Sequence, residues 1–429
     1  MTAPFGMPLV GNDWRDAPVD DAPRSVSVIV AHYDQQAELD RTIAALRRQT
    51  HPRHLLEIVV ADDGSPTAPV VPDDVVLVRQ ADEGFRLAAV RNLGVRASSG
   101  DVLCFLDADT TPEPEYVARI AALPSAAPDV VAVGRRRHAD LAGVPHDAPV
   151  EVAGPAHAID EPAWLADAYA RSHDLLDADA RSYRFVIGAV VACSRWLLDD
   201  VGGFDESFAT YGGEDWEWAH RAWSRGAALA HVPDAIAWHD GPDWAGRDEG
   251  ERRRRKNVET TTLARTIGVP GSAPRALAIA PPDVVVVLAS APSLAAAIVC
   301  VDGMLAVFPT ARVVVPRHVH EALAADARIV GEVPRDHRAT VTLAVPVLLG
   351  DAASAALRAA VETTGDGEVG EVELGEAITI AAVRAHERDR RWGRPTGWRT
   401  ERLTVPDVLV LDDEPDLEAY LGGWWPPRS

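Results

Sequence analysis

The sequence predicts an α/β fold organised in two domains. With 429 residues the chain is long for a single compact domain. From residue 25 onward, β-branched runs alternate with amphipathic segments, the pattern of a mostly parallel sheet with helices on both faces. A segment rich in Pro, Gly and Ala interrupts this pattern before it starts again. We therefore expect an N-terminal extension (1–24), a first α/β domain (25–267), a linker (268–282) and a second α/β domain (283–429).

The first domain begins with regular strand–helix alternation. Residues 25–34 are a β-branched run typical of a buried strand, and residues 37–49 form a helix with Leu39, Ile43 and Leu46 on one face. The pattern continues with strands at 56–65, 75–80 and 101–109, a helix at 86–97, a strand, short helix and loop over 185–208, a helix over 211–226 and a strand at 231–241. Ligands bind beyond the carboxyl ends of parallel strands, and two of these ends are acidic.

The second domain shows the same kind of alternation. Its predicted elements are strands at 283–290, 311–316 and 340–349 and helices at 293–306, 318–325 and 352–363. This order is similar to that of the first domain and suggests a degenerate internal repeat. No Asp-Asp-Gly-Ser and no Asp-x-Asp stands at an equivalent strand end. We expect an accessory domain of unknown role.

Composition excludes several classes of partner. The net charge of −23 repels phosphate backbones, so we expect no nucleic-acid partner. No apolar run reaches the length of a membrane span, so we expect no integral membrane contact, although peripheral association with a membrane is compatible with the sequence. Three cysteines give no disulfide framework, and the N-terminus lacks the features of a signal peptide. A cytoplasmic location is expected.

Two acidic clusters follow predicted strands. Asp107 and Asp109, separated by one alanine, could hold a divalent ion with hard oxygen ligands, Mg²⁺ or Mn²⁺, although a turn or a helix cap is an equally ordinary use of this triplet. In the Asp62-Asp63-Gly64-Ser65 sequence an acid could accept a hydrogen bond from a nucleobase or ribose, or simply form an Asx turn. The sequence by itself leaves both alternatives open.

A third cluster lies further along the chain. Glu214 and Asp215 begin a helix, where the helix dipole favours acids, and either could instead act as a general base. Trp216 adds a flat aromatic face suited to a sugar ring, or to core packing. His239 ends a strand and could ligate a metal. The charged stretch 247–257 could be a mobile lid or a solvated helix face.

In combination these segments resemble glycosyltransferase family 2, which has the GT-A fold. The resemblance depends on six blocks in order, SVSVIVAHYD, LRRQT, VVADDGS, GFRLAAVRNLGVRASSGDVLCFLDAD, FVIGAVVACSRWLLDDVGGFDESF and YGGEDWEWAHRAWSRG. The last two are similar to the carboxyl half of galactosyltransferase-type and chondroitin-polymerase-type enzymes. The first strand departs from the common pattern, because Asp34 stands where Asn usually follows Tyr.

The resemblance implies a role for each matching residue. The nucleotide-sugar site would comprise Ala31, Tyr33, Asp63, Arg86, Arg91, Asn92, Asp107 and Trp216, with Tyr33 and Asp63 near the base. Asp109 and His239 would bind Mn²⁺ or Mg²⁺. Asp215 would be the general base, with Glu214 its neighbour or alternate.

The implied reaction is inverting transfer of a sugar from a nucleotide sugar, with UDP favoured, to a hydroxyl of a glycan or another acceptor, as in polysaccharide biosynthesis. Two alternatives remain. A nucleotidyltransferase would need a glycine-rich basic loop after the first strand, and AHYDQQAELD lacks one. A catalytically degenerate transferase-like protein would serve as a binding or scaffold subunit.

Overall fold

A computed structural model of the chain describes residues 3–18, 22–209, 212–242, 249–275, 277–411 and 413–424. The chain divides into two compact units. The first comprises Met1–Thr262 and Arg390–Thr396, and the second comprises Leu263–Asp389 and Gly397–Ser429. The domain boundaries expected from composition stay a prediction. Among the described residues, no helix is both long enough and apolar enough to cross a bilayer.

A nine-stranded mixed sheet forms the centre of the first unit. Its strands are β1 (Val26–His32), β2 (Leu56–Asp62), β3 (Val76–Arg79), β4 (Val102–Asp107), β5 (Thr110–Pro112), β6 (Val130–Ala139), β7 (Ala158–Ile159), β8 (Val190–Ser194) and β9 (Ala228–Asp240). The order is β3-β2-β1-β4-β8-β6-β9-β5, with β7 beside β6. The first four strands are parallel, whereas β8 runs antiparallel to both of its neighbours. Strand β1 is central and every one of its residues is buried, as its unbroken apolar run predicts.

Helices cover this sheet. They are α1 (Gln36–Leu46), α2 (Leu87–Arg96), α3 (Tyr116–Ala126), α4 (Val150–Ala156), α5 (Ala163–Arg171), α6 (Arg195–Val201), α7 (Glu214–Ser224) and α8 (Glu249–Thr266). Helix α6 begins where Ser194 accepts a hydrogen bond from the Leu197 amide at 3.0 Å and caps the first turn. Helix α2 packs closely on β1 through Gly94, where a Cβ atom would lie 2.4 Å from the Ile29 side chain.

The second unit contains a seven-stranded sheet and a two-stranded sheet. The strands are β10 (Val284–Leu288), β11 (Arg312–Val314), β12 (Ile329–Val330), β13 (Ala339–Leu343), β14 (Val347–Leu349), β15 (Val369–Leu374), β16 (Ile378–Ala382), β17 (Arg399–Leu403) and β18 (Val408–Val410). The larger sheet has the order β12-β11-β10-β13-β16-β15-β17, and β14 pairs with β18. The later helices are α9 (Leu294–Val307), α10 (Arg317–Leu323), α11 (Asp351–Thr363), α12 (Val383–Trp392) and α13 (Leu417–Gly422).

The predicted α/β class and the predicted alternation of strands and helices are confirmed in both units. One predicted strand is wrong. Residues 340–349 do not form a single strand but are divided between β13 and β14. Pro346 lies in the break, and it has no N–H to donate to a neighbouring strand.

Candidate active site

The carboxyl ends of the parallel strands open into a cavity of about 950 Å³ in the first unit. Its wall brings together segments that are far apart in sequence, from the end of β1 to helix α8. Ten of the twelve residues proposed from the sequence line it, namely Ala31, Tyr33, Asp63, Arg91, Asp107, Asp109, Glu214, Asp215, Trp216 and His239. The cavity therefore combines all three acidic clusters of the sequence.

The two adjacent acids at the end of β2 point to different environments. Asp62 is fully buried, where it accepts hydrogen bonds from Arg79 at 2.8 Å and from the Ser65 amide at 3.0 Å. Asp63 lines the cavity, and one of its oxygens accepts the Arg86 amide at 2.9 Å. Burial raises the pKa of Asp63. Asp62 thus holds the turn, and Asp63 is the acid that a ligand in the cavity can reach.

Asp109 and His239 face each other at the end of β4. Strands β5 and β9 bring them together, because Thr110 pairs with His239 in the antiparallel register. His239 Nε2 lies 3.6 Å from Asp109 Oδ2, and the same oxygen accepts a hydrogen bond from Gln35 at 3.2 Å. Burial raises the pKa of Asp109, and the neighbouring charge of Asp107 acts in the same direction.

The geometry of this pair fits a divalent cation. The His239 Nδ1 atom lies 3.1 Å from the Gly241 carbonyl oxygen and donates to it in the neutral ring, so that Nε2 carries a lone pair directed at the carboxylate. Two electron-rich atoms at this distance repel unless a cation or a proton lies between them. Nitrogen and carboxylate oxygen both suit Mn²⁺. No group of three metal-ligating side chains is arranged for a cation in the described ranges, so further ligands would have to come from substrate or water.

Arg91 connects the acid at the end of β4 with the acid at the start of α7. Its guanidinium is almost fully buried and donates to Asp107 Oδ1 at 3.0 Å and to Glu214 Oε1 at 2.9 Å. Burial alone would lower the pKa of Arg91, but the carboxylates around it raise the pKa and keep the group charged. This bridge fixes the end of β4 relative to the start of α7.

Glu214 is the most perturbed acid in the cavity. It is 3% exposed, and its Oε2 atom is buried without a hydrogen-bond partner. Burial and the neighbouring charge of Asp215 raise the pKa of Glu214 to about 7, although Arg91 opposes the shift. At neutral pH this carboxyl group is therefore close to half protonated.

Asp215 is oriented by the backbone. Its Oδ2 atom accepts the Gly188 amide at 2.9 Å and its Oδ1 atom accepts the Trp216 amide at 2.8 Å. Gly188 is required here, because a Cβ atom would lie 2.7 Å from the Nη1 atom of Arg91. The carboxylate is thereby held rigidly at the cavity wall, with lone pairs remaining for a ligand.

Aromatic and basic side chains complete the wall. Tyr33 and Trp164 are 45% and 48% exposed at the cavity, so flat faces are accessible to a ligand. Lys256 on α8 lies 4.4 Å from the centre of the Trp216 ring and donates to Glu259 at 2.6 Å. The lid predicted over 247–257 lies partly outside the described residues, at positions 247 and 248. Its described part belongs to α8, which contributes Lys256 to the cavity.

Two predicted donor contacts lie away from the cavity wall. The Arg86 guanidinium pairs with Glu83 at 2.7 Å, and only its backbone amide reaches Asp63. Asn92 accepts the Phe204 amide at 2.9 Å and donates to the Phe204 carbonyl at 2.8 Å, which ties α2 to the loop after α6. Asn92 follows Arg91 on α2, and adjacent residues of a helix lie about 100° apart around its axis, so the Asn92 side chain points away from the cavity that Arg91 lines.

Sequence reasoning missed several residues of the cavity. Gln35, Arg136, Trp164 and Gly188 line it, together with Lys256 and Glu259. Gln35 follows β1 and could have been found from its position at a strand end. Gly188 lies in a block of the family resemblance and Lys256 in the predicted lid stretch, but neither was assigned to the site. Arg136, Trp164 and Glu259 lie in segments without a motif, and only the tertiary positions of β6, α5 and α8 bring them to the site.

The chain matches two family models. Residues 27–148 match the model described as glycosyl transferase family 2, and residues 174–238 match the model described as the N-terminal domain of galactosyltransferase. Nine of the ten predicted site residues that line the cavity lie inside one of these two ranges, and the tenth, His239, lies outside them.

Similar proteins include a chondroitin synthase from Escherichia coli, 28% identical over 58% of this chain and 40% of that protein. A validoxylamine A glucosyltransferase from Streptomyces hygroscopicus subsp. limoneus is 30% identical over 56% of this chain and 54% of its own length. The chain thus spans about half of these relatives or less. Among solved structures, a mannosyltransferase from Pyrobaculum calidifontis is 20% identical with a TM-score of 0.41, covering 60% of this chain and 71% of that one.

Proposed function

We propose that the chain is an inverting glycosyltransferase of family 2 with the GT-A fold, because residues 27–148 match the family 2 model and residues 174–238 match the galactosyltransferase model. It transfers a hexosyl group from a UDP-sugar to a hydroxyl group of a glycan or another acceptor, and it depends on Mn²⁺ or Mg²⁺. One observation supports the proposal most directly. The acids of three separate motifs and the Asp109–His239 pair face one cavity.

In this proposal each part of the cavity has its own task. Asp63 and Tyr33 bind the uracil end of the donor, while Asp107 contacts the ribose or the donor sugar. Asp109 and His239 hold the divalent cation, which would neutralise charge on the departing diphosphate. Trp216 offers a flat face to a sugar ring.

Asp215 acts as the general base. It removes the proton from the acceptor hydroxyl while the hydroxyl oxygen forms a bond to the anomeric carbon of the donor. The bond between that carbon and the diphosphate oxygen breaks, and UDP leaves with the electron pair. Attack from the face opposite the leaving group inverts the anomeric configuration. The backbone amides of Gly188 and Trp216 support this role because they fix the orientation of the carboxylate. Among the described contacts, no cationic side chain forms an ion pair with Asp215.

The first test is calorimetric titration of the whole chain with UDP, in Mn²⁺ and then in EDTA. We expect UDP binding that requires the metal and is lost in the Asp109→Ala variant. Absence of binding for UDP, GDP and TDP alike would contradict the proposal.

The second test examines the base. Asp215→Asn should lower kcat for transfer by about 10²-fold or more with little change in UDP affinity, since a base contributes mainly in the transition state. Proton NMR of the product should show an anomeric configuration opposite to that of the donor. Equal kcat values for Asp215→Asn and wild type would refute the assignment of the base, whereas absence of transfer by the wild type would favour a degenerate binding protein.

A further inference from the structure

The second unit repeats the sheet of the first unit strand for strand. The orders β3-β2-β1-β4-β8-β6-β9 and β12-β11-β10-β13-β16-β15-β17 have the same directions at all six junctions. Three parallel pairs are followed by two antiparallel pairs and one parallel pair in each sheet. In addition, a short strand after the fourth one pairs antiparallel with a late strand, β5 with β9 and β14 with β18.

The hydrogen-bond register agrees as well as the order. In the first sheet Val102 pairs with Val26 on one side and with Ser194 on the other. At the same places in the second sheet, Ala339 pairs with Val284 on one side and with Ala382 on the other. Eight residues separate Val102 from the first residue of β5, Thr110, and eight separate Ala339 from the first residue of β14, Val347. Two sheets of independent design would not be expected to agree in register across several strands, because each one-residue slip reverses the faces of a strand.

The late strand extends this agreement to the candidate metal site. Leu229 pairs with Val131 and His239 pairs with Thr110, and ten residues separate these two positions of β9. Their counterparts are Thr400, paired with Glu371, and Val410, paired with Val347, again ten residues apart. Strands β17 and β18 together thus correspond to the single long strand β9.

This register identifies the counterparts of the site residues without any sequence similarity. Asp109 precedes β5 directly, and the residue that precedes β14 directly is Pro346. The counterpart of His239 is Val410, and the counterpart of Asp107 is Ala344. Proline, valine and alanine side chains carry no atom that can ligate a cation or accept a hydrogen bond. Every acid and imidazole of the Asp107, Asp109 and His239 set has therefore been replaced.

The wall of the cavity is missing from the second unit too. Between β6 and β8 the first unit contains α4, β7 and α5, and this stretch contributes Trp164 and Gly188 to the cavity. The corresponding strands β15 and β16 are joined directly by Gly375–Ala377, with Gly375 at a φ of 60° in the turn. Between β8 and β9 the first unit contains α6 and then α7, which starts with Glu214-Asp215. Between β16 and β17 the described residues form one helix, α12, which follows its strand directly as α6 does, so α7 and its acids have no counterpart there.

We propose that the second unit is a duplicated GT-A sheet that has lost its donor site, so that the described part of the chain holds a single nucleotide-sugar site, in the first unit. The proposal rests on the proposed function for the ligand of the first site. The second sheet still contributes to a core, since four of the five residues of β10 and three of the five residues of β13 are buried.

Hydrogen exchange of the full chain, followed by mass spectrometry with and without UDP and Mn²⁺, tests the proposal. UDP should slow exchange at the strand ends of the first unit, at 31–34, 62–65 and 107–110, and leave their counterparts 289–292, 317–320 and 344–347 unchanged. Calorimetry on the same sample should give one UDP per chain.

A matched pair of variants adds a control. His239→Ala should weaken metal-dependent UDP binding about tenfold or more, whereas Val410→Ala, at the equivalent position and 41% exposed, should leave the affinity unchanged. Slower exchange at the second set of segments, two UDP per chain, or UDP binding that persists in Asp109→Ala would overturn the proposal. If UDP, GDP and TDP all left hydrogen exchange unchanged in both sets of segments, the proposed function of the first site would be refuted. The single-site stoichiometry would be refuted with it.

Discussion

Gly188→Ala is the sharpest test of how the site is assembled. The added Cβ atom would lie 2.7 Å from Nη1 and 2.9 Å from Nη2 of Arg91. An ordinary contact begins at 3.4 Å, so the guanidinium or the Gly188 backbone must move by about 0.7 Å. The guanidinium has little room to retreat, because it is buried and holds Asp107 and Glu214 at 3.0 and 2.9 Å.

The expected loss of stability depends on which contact the added Cβ atom displaces. Overpacking of this kind costs about 1–3 kcal/mol, and loss of one buried ion pair costs about 3–5 kcal/mol. We expect a decrease of about 2 kcal/mol in the free energy of unfolding, measured by urea denaturation. Because the Gly188 amide also holds Asp215, a shift approaching 1 Å should lower kcat by about 10²-fold. UDP release from the active UDP-sugar measures this change.

Two controls separate the contact from a general effect of alanine. Gly303→Ala, in α9 and with its nearest neighbour 3.9 Å from the added Cβ, should keep or raise the stability, by up to about 1 kcal/mol. In an Arg91→Lys background the guanidinium nitrogens are absent, so Gly188→Ala should cost less than about 0.5 kcal/mol further. An equal penalty in both backgrounds would refute the steric explanation.

Three further outcomes follow from other contacts. The pKa of Glu214 is about 7 in the folded chain against 4.5 in the unfolded chain, so the folded state binds more protons between these pH values. As the pH rises from 4.5 through 7, the free energy of unfolding of the wild type should fall by about 3 kcal/mol relative to that of Glu214→Gln. The same difference in free energy of unfolding between wild type and variant at pH 5 and at pH 8 would disprove this. Asn92→Ala should lower the free energy of unfolding by about 1–3 kcal/mol without altering UDP affinity, whereas a weaker affinity at unchanged stability would restore the predicted donor contact. Arg391→Met should cost about 3–5 kcal/mol by calorimetry, because it leaves Asp129 buried without its cation, and a loss below 1 kcal/mol would contradict the buried pair.

Local pattern was sufficient to predict most of the fold. The β-branched run that becomes β1 and the apolar face of α1 both follow from side-chain periods of two and 3.6 residues. The same pattern indicated the repeat in the second unit. It failed at 340–349, where apolar composition continues through Pro346 although the strand cannot.

The candidate site could be predicted only in part. The acids of the site were found because they follow strands whose carboxyl ends lie at one edge of a parallel sheet. The family resemblance singled out Asp63 of the neighbouring pair, and the structure places Asp63 at the cavity and Asp62 in the turn. Arg91 was expected near the donor, and it lines the cavity, but its role as a bridge between Asp107 and Glu214 could not be predicted from the sequence.

The sequence by itself determined the class of fold, the resemblance to glycosyltransferase family 2 and the acidic strand ends, since these depend on periodicity and on short contiguous motifs. Only the tertiary structure decided that Asp109 meets His239, that Gly188 must leave space for Arg91, and that Val410 stands where the first unit has its histidine. The physical reason is that pairing across a sheet joins residues more than a hundred positions apart. Hydrogen-bond register fixes such pairs, and register is a property of two strands together that neither strand's own sequence reveals.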